Sequence, residues 1–156
     1  MSPRLEITAR IRIRATPERV WQAAMDWPRQ GEWIPATTAR GGTGVGAELT
    51  ARTAVGPVGF TDTMVITEWD PPWRCVTRHT GQVIRGGGIF EVVPAGDLSE
   101  FRWTELVDLP VPAPVRPAAT WLAQRTIGPL VRAGLGYALR RLARLVESGT
   151  FGQPAS

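Results

Sequence analysis

The chain contains no lysine, one cysteine and one histidine among its 156 residues, and it has no long hydrophobic run. Because Cys75 stands alone, no internal disulfide forms, and we expect a protein of the reducing cytoplasm. With a single histidine and no acids at ligand spacing, we expect no metal site and no cofactor. No uncharged run approaches the roughly 18 residues that span a bilayer. Charged residues recur through positions 1–15, unlike the apolar core of a secretory signal.

The excess of positive charge lies in the C-terminal part of the chain. All 18 basic residues are arginine, which together with 17 glycines and 14 prolines is typical of a GC-rich bacterial genome. From Arg116 onward six arginines stand against one acid, Glu147, whereas the preceding part has twelve arginines and thirteen acids. We interpret the basic segment as a solvated helix face, with docking on a membrane surface or a partner protein as the alternative. Nucleic acid is not expected, since no outward face interleaves aromatic and basic residues.

The first elements are a strand and two short helices. Residues 5–13 alternate apolar and polar side chains, which predicts a half-buried strand. Thr16 then supplies an N-cap and Pro17 the first helical position. The helix ends near Asp26, because Pro28 restricts the backbone before it. A second short helical turn is expected within residues 31–34.

Strands and tight turns fill the chain from about residue 36 to residue 108. The strand patterns cover residues 45–52, 60–69, 73–79, 83–93 and 99–108. Turn residues at 70–72, 80–82 and 94–97 separate the last four of them. Connections this short make neighbouring strands antiparallel.

The last element is a long helix that follows four prolines between residues 110 and 117. Residues 121–127 are helical, Gly128 and Pro129 kink or restart the helix, and residues 130–146 form an amphipathic helix with arginines on its outer side. This helix alone is large enough to cover one face of the sheet, and a strongly curved sheet leaves space beneath it. The fold class is therefore α+β, with a curved antiparallel sheet of about seven strands around a long C-terminal helix. We expect a single domain over residues 1–148 and a flexible tail at 149–156.

Several sequence patterns resemble the SRPBCC superfamily of START-like and polyketide cyclase/dehydrase proteins. They are residues 13–21 (IRATPERVW), 26–35 (DWPRQGEWIP), 44–47 (GVGA), 70–74 (DPPWR) and 101–105 (FRWTE). The resemblance covers nearly the whole chain and implies the helix-grip fold. Members of the superfamily bind lipids, hormones or quinones, or cyclise aromatic polyketides. The resemblance therefore implies a cavity for a hydrophobic ligand, and these caps, turns and packing residues imply no catalytic group.

Successive side chains of a strand point to opposite faces of the sheet, and this alternation indicates which polar side chains face the cavity. If the arginines of each strand face solvent, Asp62, Thr77, His79 and Glu105 point inward. A tight turn at residues 70–72 places Asp62 opposite His79. Across the next hairpin His79 lies opposite Ile84 and Thr77 opposite Gly86, and Glu105 then falls opposite Gly86 or Gly88. Asp62, His79 and Glu105 are the candidate catalytic residues, because a carboxylate and an imidazole in apolar walls can act as general acid or base. Each also has an ordinary structural interpretation, as a cross-strand pair, a rim histidine or a partner of a helix arginine.

The expected ligand-binding residues are mostly apolar side chains of the same inner face. They are Trp33, Phe60, Met64, Thr77, Phe90, Phe101, Trp103 and Leu135. The sequence thus predicts a binding protein for a small, largely hydrophobic molecule that resembles a lipid, a polyketide or an aromatic compound. The first alternative is an enzyme of the cyclase/aromatase kind, and the second is a protein that docks on a membrane or partner through its basic helix. The chain is expected to be a monomer or a homodimer.

Overall fold

The computed structural model of the protein describes residues 4–82 and 84–151. Its strands are β1 Leu5–Ile13, β2 Thr37–Gly41, β3 Glu48–Val55, β4 Val58–Asp70, β5 Arg74–His79, β6 Gly86–Ala95 and β7 Leu98–Val107. Its helices are α1 Pro17–Ala24 and α2 Arg116–Glu147, with 3-10 helices at Trp27–Glu32 and Ala113–Val115. The seven strands form one antiparallel sheet in the order β1-β7-β6-β5-β4-β3-β2. The predicted fold class is confirmed.

The alternation of apolar residues places β1 beneath the long helix. Leu5, Ile7, Ala9 and Ile13 are buried, and α2 packs across this strand. Thr16 caps α1 as predicted, since its side-chain oxygen accepts a hydrogen bond from the backbone N–H of Arg19. The core fills the end of the molecule where the C-terminal half of α2 meets β1 and α1. The other end of the sheet is thereby left for a cavity.

The register of β4 with β5 differs from the prediction. His79 pairs with Met64, and Asp62 pairs instead with Ala51 of β3. The predicted pairing is wrong by two residues, because three residues separate the Asp70–Arg74 pair and a bulge lies between Ile66 and Glu68.

The register of β5 with β6 is also shifted by two residues. Thr77 pairs with Gly88 rather than with Gly86, because β6 begins only at Gly86 and the connection is longer than the predicted turn. The expected pairing of Glu105 with Gly88 is confirmed. The beginning of the predicted strand at residue 83 lies outside the described residues.

The long helix is more continuous than the sequence suggested. The predicted restart at Gly128 and Pro129 is wrong, since α2 runs from Arg116 to Glu147 with Pro129 inside it. The alternative of a kink at these residues stays a prediction. Proline removes one backbone donor from a helix interior, and here the many hydrogen bonds on either side maintain the helix. Pro117 lies in the first turn, where a missing N–H carries no penalty. Within the described residues, no helix is long and apolar enough to cross a membrane.

Residues 149–151, the first three of the predicted flexible tail, contact the rest of the domain. Phe151 is buried, and the Arg29 guanidinium lies over its ring at 4.1 Å from the centroid. The backbone N–H of Gly149 donates to Val146, which continues the end of α2. A bulky aromatic side chain therefore attaches this segment to the 3-10 helix, an interaction that local sequence does not reveal. The remainder of the predicted tail, residues 152–156, lies outside the described residues.

Candidate functional site

A cavity of about 550 Å³ lies between the concave face of the sheet and the N-terminal half of α2. Its wall is mostly apolar and includes β1, the 3-10 helix, strands β2 to β7 and one side of α2. Phe60 of β4 and Ile127 of α2 line it while remaining 40% and 53% exposed. The cavity therefore opens to solvent between the start of β4 and α2, and we call this opening the mouth.

The cavity wall includes most of the side chains that were predicted to point inward from the alternation along each strand. Phe60, Met64, Thr77, Phe90 and Trp103 all line it, together with Asp62, His79 and Glu105. The alternation of strand residues was the signal that identified them.

Three residues predicted to contact the ligand do not line the cavity. Trp33 and Phe101 are fully buried in the core, where Trp33 makes edge-to-face contacts with Phe101 and with the rear of Trp103. Leu135 lies in the core about one turn beyond Val131, which lines the cavity in its place. The alternation along β7 correctly predicted that Phe101 lies on the inner face of the sheet. The distance along the strand decides whether a residue meets the cavity or the packed end.

Part of the cavity wall was missed by sequence reasoning. It consists of Leu5, Ile7, Trp27, Gln30, Ile34, Thr37, Leu49, Val107, Leu109, Ile127 and Val131, among others. Ile127 and Val131 are four residues apart on one helical face, which was an available signal. Thr37 lies on the five-residue strand β2, which is too short for alternation to identify an inner face.

One cluster of polar residues in the cavity surrounds His79. Its Nδ1 atom lies 2.7 Å from Oδ2 of Asp62, and its Nε2 atom lies 3.9 Å from Oε2 of Glu105. The contact with Asp62 is an ion pair without a hydrogen bond, because the Asp62 oxygen lies off the direction of the Nδ1–H bond of His79. The indole N–H of Trp103 donates to Oε1 of Glu105 at 2.6 Å. Asp62 and Glu105 thus face opposite nitrogens of one imidazole.

Neighbouring strands position this cluster by their pleat. Glu105 on β7 pairs with Gly88, whose missing side chain leaves space beside the carboxylate. The hydroxyl oxygen of Thr77 accepts a hydrogen bond from the Gly88 backbone N–H at 3.2 Å. Asp62 reaches His79 diagonally from β4, since their strand positions differ by two residues from direct pairing. The diagonal spacing of a sheet lies within the reach of such side chains.

The charge of His79 follows from its surroundings. Burial lowers the pKa of its imidazole, but the carboxylates of Asp62 and Glu105 outweigh burial and raise the pKa to about 9. At neutral pH the ring is therefore an imidazolium between two carboxylates. Its side chain is only 6% exposed, so water screens these contacts weakly.

Comparison with known proteins adds the family. A family model described as polyketide cyclase / dehydrase and lipid transport matches residues 4–147. The chain belongs to this family. The resemblance to the SRPBCC superfamily is confirmed, and the cavity occupies a fold that the family uses for hydrophobic ligands. The chain has no significant match among the curated proteins.

Solved structures share the fold at low sequence identity. A protein of Thermus thermophilus is 18% identical with a TM-score of 0.72, and the match covers 93% of this chain and 99% of that one. An aromatase/cyclase of a Streptomyces species is 12% identical with a TM-score of 0.72, covering 96% and 98% of the two chains. A di-domain aromatase/cyclase from steffimycin biosynthesis is 10% identical with a TM-score of 0.71, covering 94% of this chain and 52% of that one. At these identities the similarity establishes the fold alone.

Within this family fold, the Nε2 atom of His79 is the most distinctive chemical group. It is buried, and it has no hydrogen-bond partner among the described residues. A buried N–H group that makes no hydrogen bond is unfavourable by about 1–3 kcal/mol, and the Glu105 carboxylate at 3.9 Å offsets this cost only in part.

Other reactive groups contribute little to the site. Cys75 is buried, and burial raises the pKa of its thiol to about 12, so it remains a protonated packing residue at neutral pH. The described part of the chain contains no group of three or more histidine, cysteine, aspartate or glutamate side chains suited to a metal ion.

Proposed function

We propose that the protein binds a small, largely apolar molecule whose single oxygen substituent lies between His79 and Glu105. The observation that carries the proposal is the buried Nε2–H donor of His79, which lies in a mostly apolar wall. The opposing Oε2 of Glu105 accepts a proton donor at the same place. This pair of groups matches a hydroxyl, which donates and accepts at once.

The apolar wall supports the rest of the proposed ligand. Phe90 and Trp103 lie side by side with ring centroids 5.5 Å apart, and Met64 lines the same space. Apolar surface of this kind binds fused rings or an alkyl chain without selecting a single shape. The polar pair then fixes the orientation of the ligand.

Two probes that differ by one hydroxyl test this proposal. We expect the protein to prefer 2-naphthol over naphthalene by roughly tenfold or more, after correction for their transfer from water. The His79→Leu variant removes the donor, so it should retain naphthalene and lose the preference. Val45→Ser is the matched control, because Val45 is 71% exposed and lies in the loop before β3, away from the mouth.

Titration of the intrinsic tryptophan fluorescence measures these affinities. Equal affinity of the wild type for both probes would contradict the role of His79 while leaving an apolar cavity. Failure of both probes to bind at their solubility limits would contradict the binding function itself.

A second candidate function is proton transfer on a bound ketone, as in a cyclase/aromatase-type enzyme. The observation that favours it is the pairing of an imidazolium and a carboxylate on the same cavity wall. When the oxygen of a ketone accepts a hydrogen bond from Nε2 of His79, the hydrogens on the adjacent carbon become more acidic, and Oε2 of Glu105 removes one of them. The Nε2 proton of His79 moves to the oxygen in the same step. The products are an enol, a neutral His79 and a protonated Glu105, and the reverse step restores the ketone and both charged side chains. Two structurally similar proteins carry the name aromatase/cyclase.

Hydrogen–deuterium exchange of 2-tetralone in D₂O tests this second function. We expect saturable acceleration of exchange at the carbon next to the carbonyl group, measured by proton NMR. The Glu105→Gln variant should abolish the acceleration while it still binds 2-naphthol. Exchange at the same rate in the wild type and in this variant would exclude the carboxylate as the base.

A further inference from the structure

The N-terminal half of α2 presents apolar side chains to solvent. Leu122, Leu130 and Tyr137 are 55%, 74% and 47% exposed. At 3.6 residues per turn they fall within about 80° of one another, and the exposed Pro129 and Ala133 lie in the same sector. We call these five residues the outer face of α2. Between residues 119 and 137 this sector contains no charged residue.

The packing of the fold does not account for the outer face. α2 rests on β1 and α1 through its opposite side, where Leu135, Leu139 and Leu142 are buried. The helix is therefore apolar on two sides along its N-terminal half. A second apolar side on a surface helix indicates contact with something outside the domain.

The charges beside the outer face favour an anionic surface as its partner. Arg125 and Arg132 flank the face on one side, and Arg140 and Arg144 follow it toward the C-terminus. No acidic residue occurs between Asp108 and Glu147. Arginines beside a stripe of leucine and aromatic residues form the pattern of helices that lie in the membrane interface. Near an anionic lipid surface each such arginine adds to the attraction.

Trp121 and its neighbour strengthen the assignment. Trp121 is 57% exposed and lies about 80° around the helix from Pro129, beyond Arg125. The Arg125 guanidinium lies over its ring at 4.5 Å from the centroid. Tryptophan and arginine both combine an apolar body with a polar group, so both suit the boundary between lipid chains and head groups.

The outer face lies on the same helical turns as the mouth of the cavity. Ile127 and Val131 line the cavity, and Leu130 on the adjoining side of the helix faces outward. We infer that the outer face of α2 docks on an anionic lipid surface, with the mouth of the cavity at the lipid boundary. An apolar ligand would then move between lipid and cavity with little exposure to water. The docking itself does not depend on which ligand the cavity holds.

Cosedimentation with lipid vesicles tests the docking. We expect the wild type to bind vesicles of phosphatidylcholine and phosphatidylglycerol at a 3:1 ratio, and to bind pure phosphatidylcholine much more weakly. The double variant Leu122→Ser/Leu130→Ser should weaken binding by about tenfold, because binding strength follows the apolar area inserted. The variant Arg125→Gln/Arg132→Gln should weaken it by a similar factor and reduce its dependence on salt.

A matched control separates docking from a general effect of exposed apolar residues. The Val45→Ser variant, whose changed side chain is also highly exposed, should bind vesicles like the wild type. All variants should retain the wild-type circular dichroism and the affinity for 2-naphthol, so that failure of docking remains distinct from failure of the proposed ligand site.

Three results would overturn the inference. One is the absence of wild-type binding to the anionic vesicles, and another is an equal loss in the Val45→Ser variant. The third is a concentration-dependent dimer in sedimentation velocity that the two leucine substitutions abolish, because this result would assign the outer face to a second copy of the chain.

Discussion

At the scale of single residues, His79 determines the net charge of the polar cluster in the cavity. Its imidazolium neutralises one of the two carboxylates beside it, so the cluster carries about one negative charge in an apolar wall. Parity predicted all three inward side chains, because alternation along a strand is a local property. The contact between Asp62 and His79 was expected from a wrong register, and it forms because their side chains meet diagonally.

The titration of His79 tests the role of the two carboxylates. We expect its imidazole pKa to be about 9, compared with an ordinary value of 6.5. Because the chain has one histidine, the ring Cε1–H resonance reports this group directly in a pH series of NMR spectra. The Asp62→Asn variant should lower the pKa. An unchanged pKa in that variant would show that the ion pair contributes little.

The same group makes stability depend on pH. Since the pKa of His79 is higher in the folded than in the unfolded chain, protonation favours the folded state. This stabilisation is fully present below about pH 6.5 and is lost as the pH rises through about 9. The difference between the pKa values of 6.5 and about 9 corresponds to roughly 3 kcal/mol. Urea unfolding of the wild type and of His79→Gln should therefore show a gap that narrows over this range, whereas a constant gap would contradict the linkage.

Trp103 positions Glu105 through its indole N–H. The Trp103→Phe substitution removes this donor but keeps an aromatic ring against Phe90. We expect affinity for 2-naphthol to fall about threefold to tenfold, with little change for naphthalene. The pKa of His79 should also fall, because the carboxylate is no longer held near it. An equal loss of affinity for both probes would indicate a packing role alone.

At the scale of a single element, the three glycines at residues 86–88 determine how closely β6 approaches its neighbouring strands. The structure shows a separate reason for each glycine at residues 86–88. A Cβ at Gly86 would overlap the carbonyl oxygen of Leu106, and its φ of +124° also requires glycine. A Cβ at Gly87 would overlap the carbonyl oxygen of Thr77. Gly88 instead borders the cavity, beside Thr77 and Glu105.

These differences predict unequal effects of alanine. The Gly87→Ala substitution should destabilise the protein by about 2 kcal/mol or more, because backbone atoms of two paired strands must separate. A Cβ at Gly88 lies 3.2 Å from the Thr77 hydroxyl and 3.7 Å from Oε1 of Glu105, so Gly88→Ala should be milder and should reduce affinity for 2-naphthol instead. Chemical unfolding and probe titration measure the two effects. Equal stability of both variants would contradict this assignment.

The limits of sequence reasoning are clearest in the connections between elements. Alternation and capping predicted β1 and α1 closely, because both signals are local. The registers of β4, β5 and β6 depend on loop length and on a bulge between Ile66 and Glu68, which alternation does not encode. The continuity of α2 through Pro129 depends on the stability of the helix on both sides, rather than on the proline alone.

At the scale of the whole molecule, the sheet and α2 meet closely at one end only. Leu139, Leu142 and Val146 are buried there, whereas Ile127 and Val131 face an open cavity at the other end. The sequence predicted a cavity from the mismatch between a curved sheet and one covering helix. It did not predict where packing ends, and Trp33, Phe101 and Leu135 were assigned to the wall for that reason. That boundary depends on side chains that meet across the fold.

The central claim is that an apolar molecule occupies this cavity with its oxygen at His79. The most direct measurement is an isotope-filtered NOE spectrum of ¹³C-labelled protein saturated with unlabelled 2-naphthol. We predict intermolecular NOEs from the naphthol ring to the Met64 methyl group, to Phe90 and to the ring protons of His79, whose positions border the same space. NOEs confined to exposed side chains such as Leu130, or none at saturation, would contradict the claim.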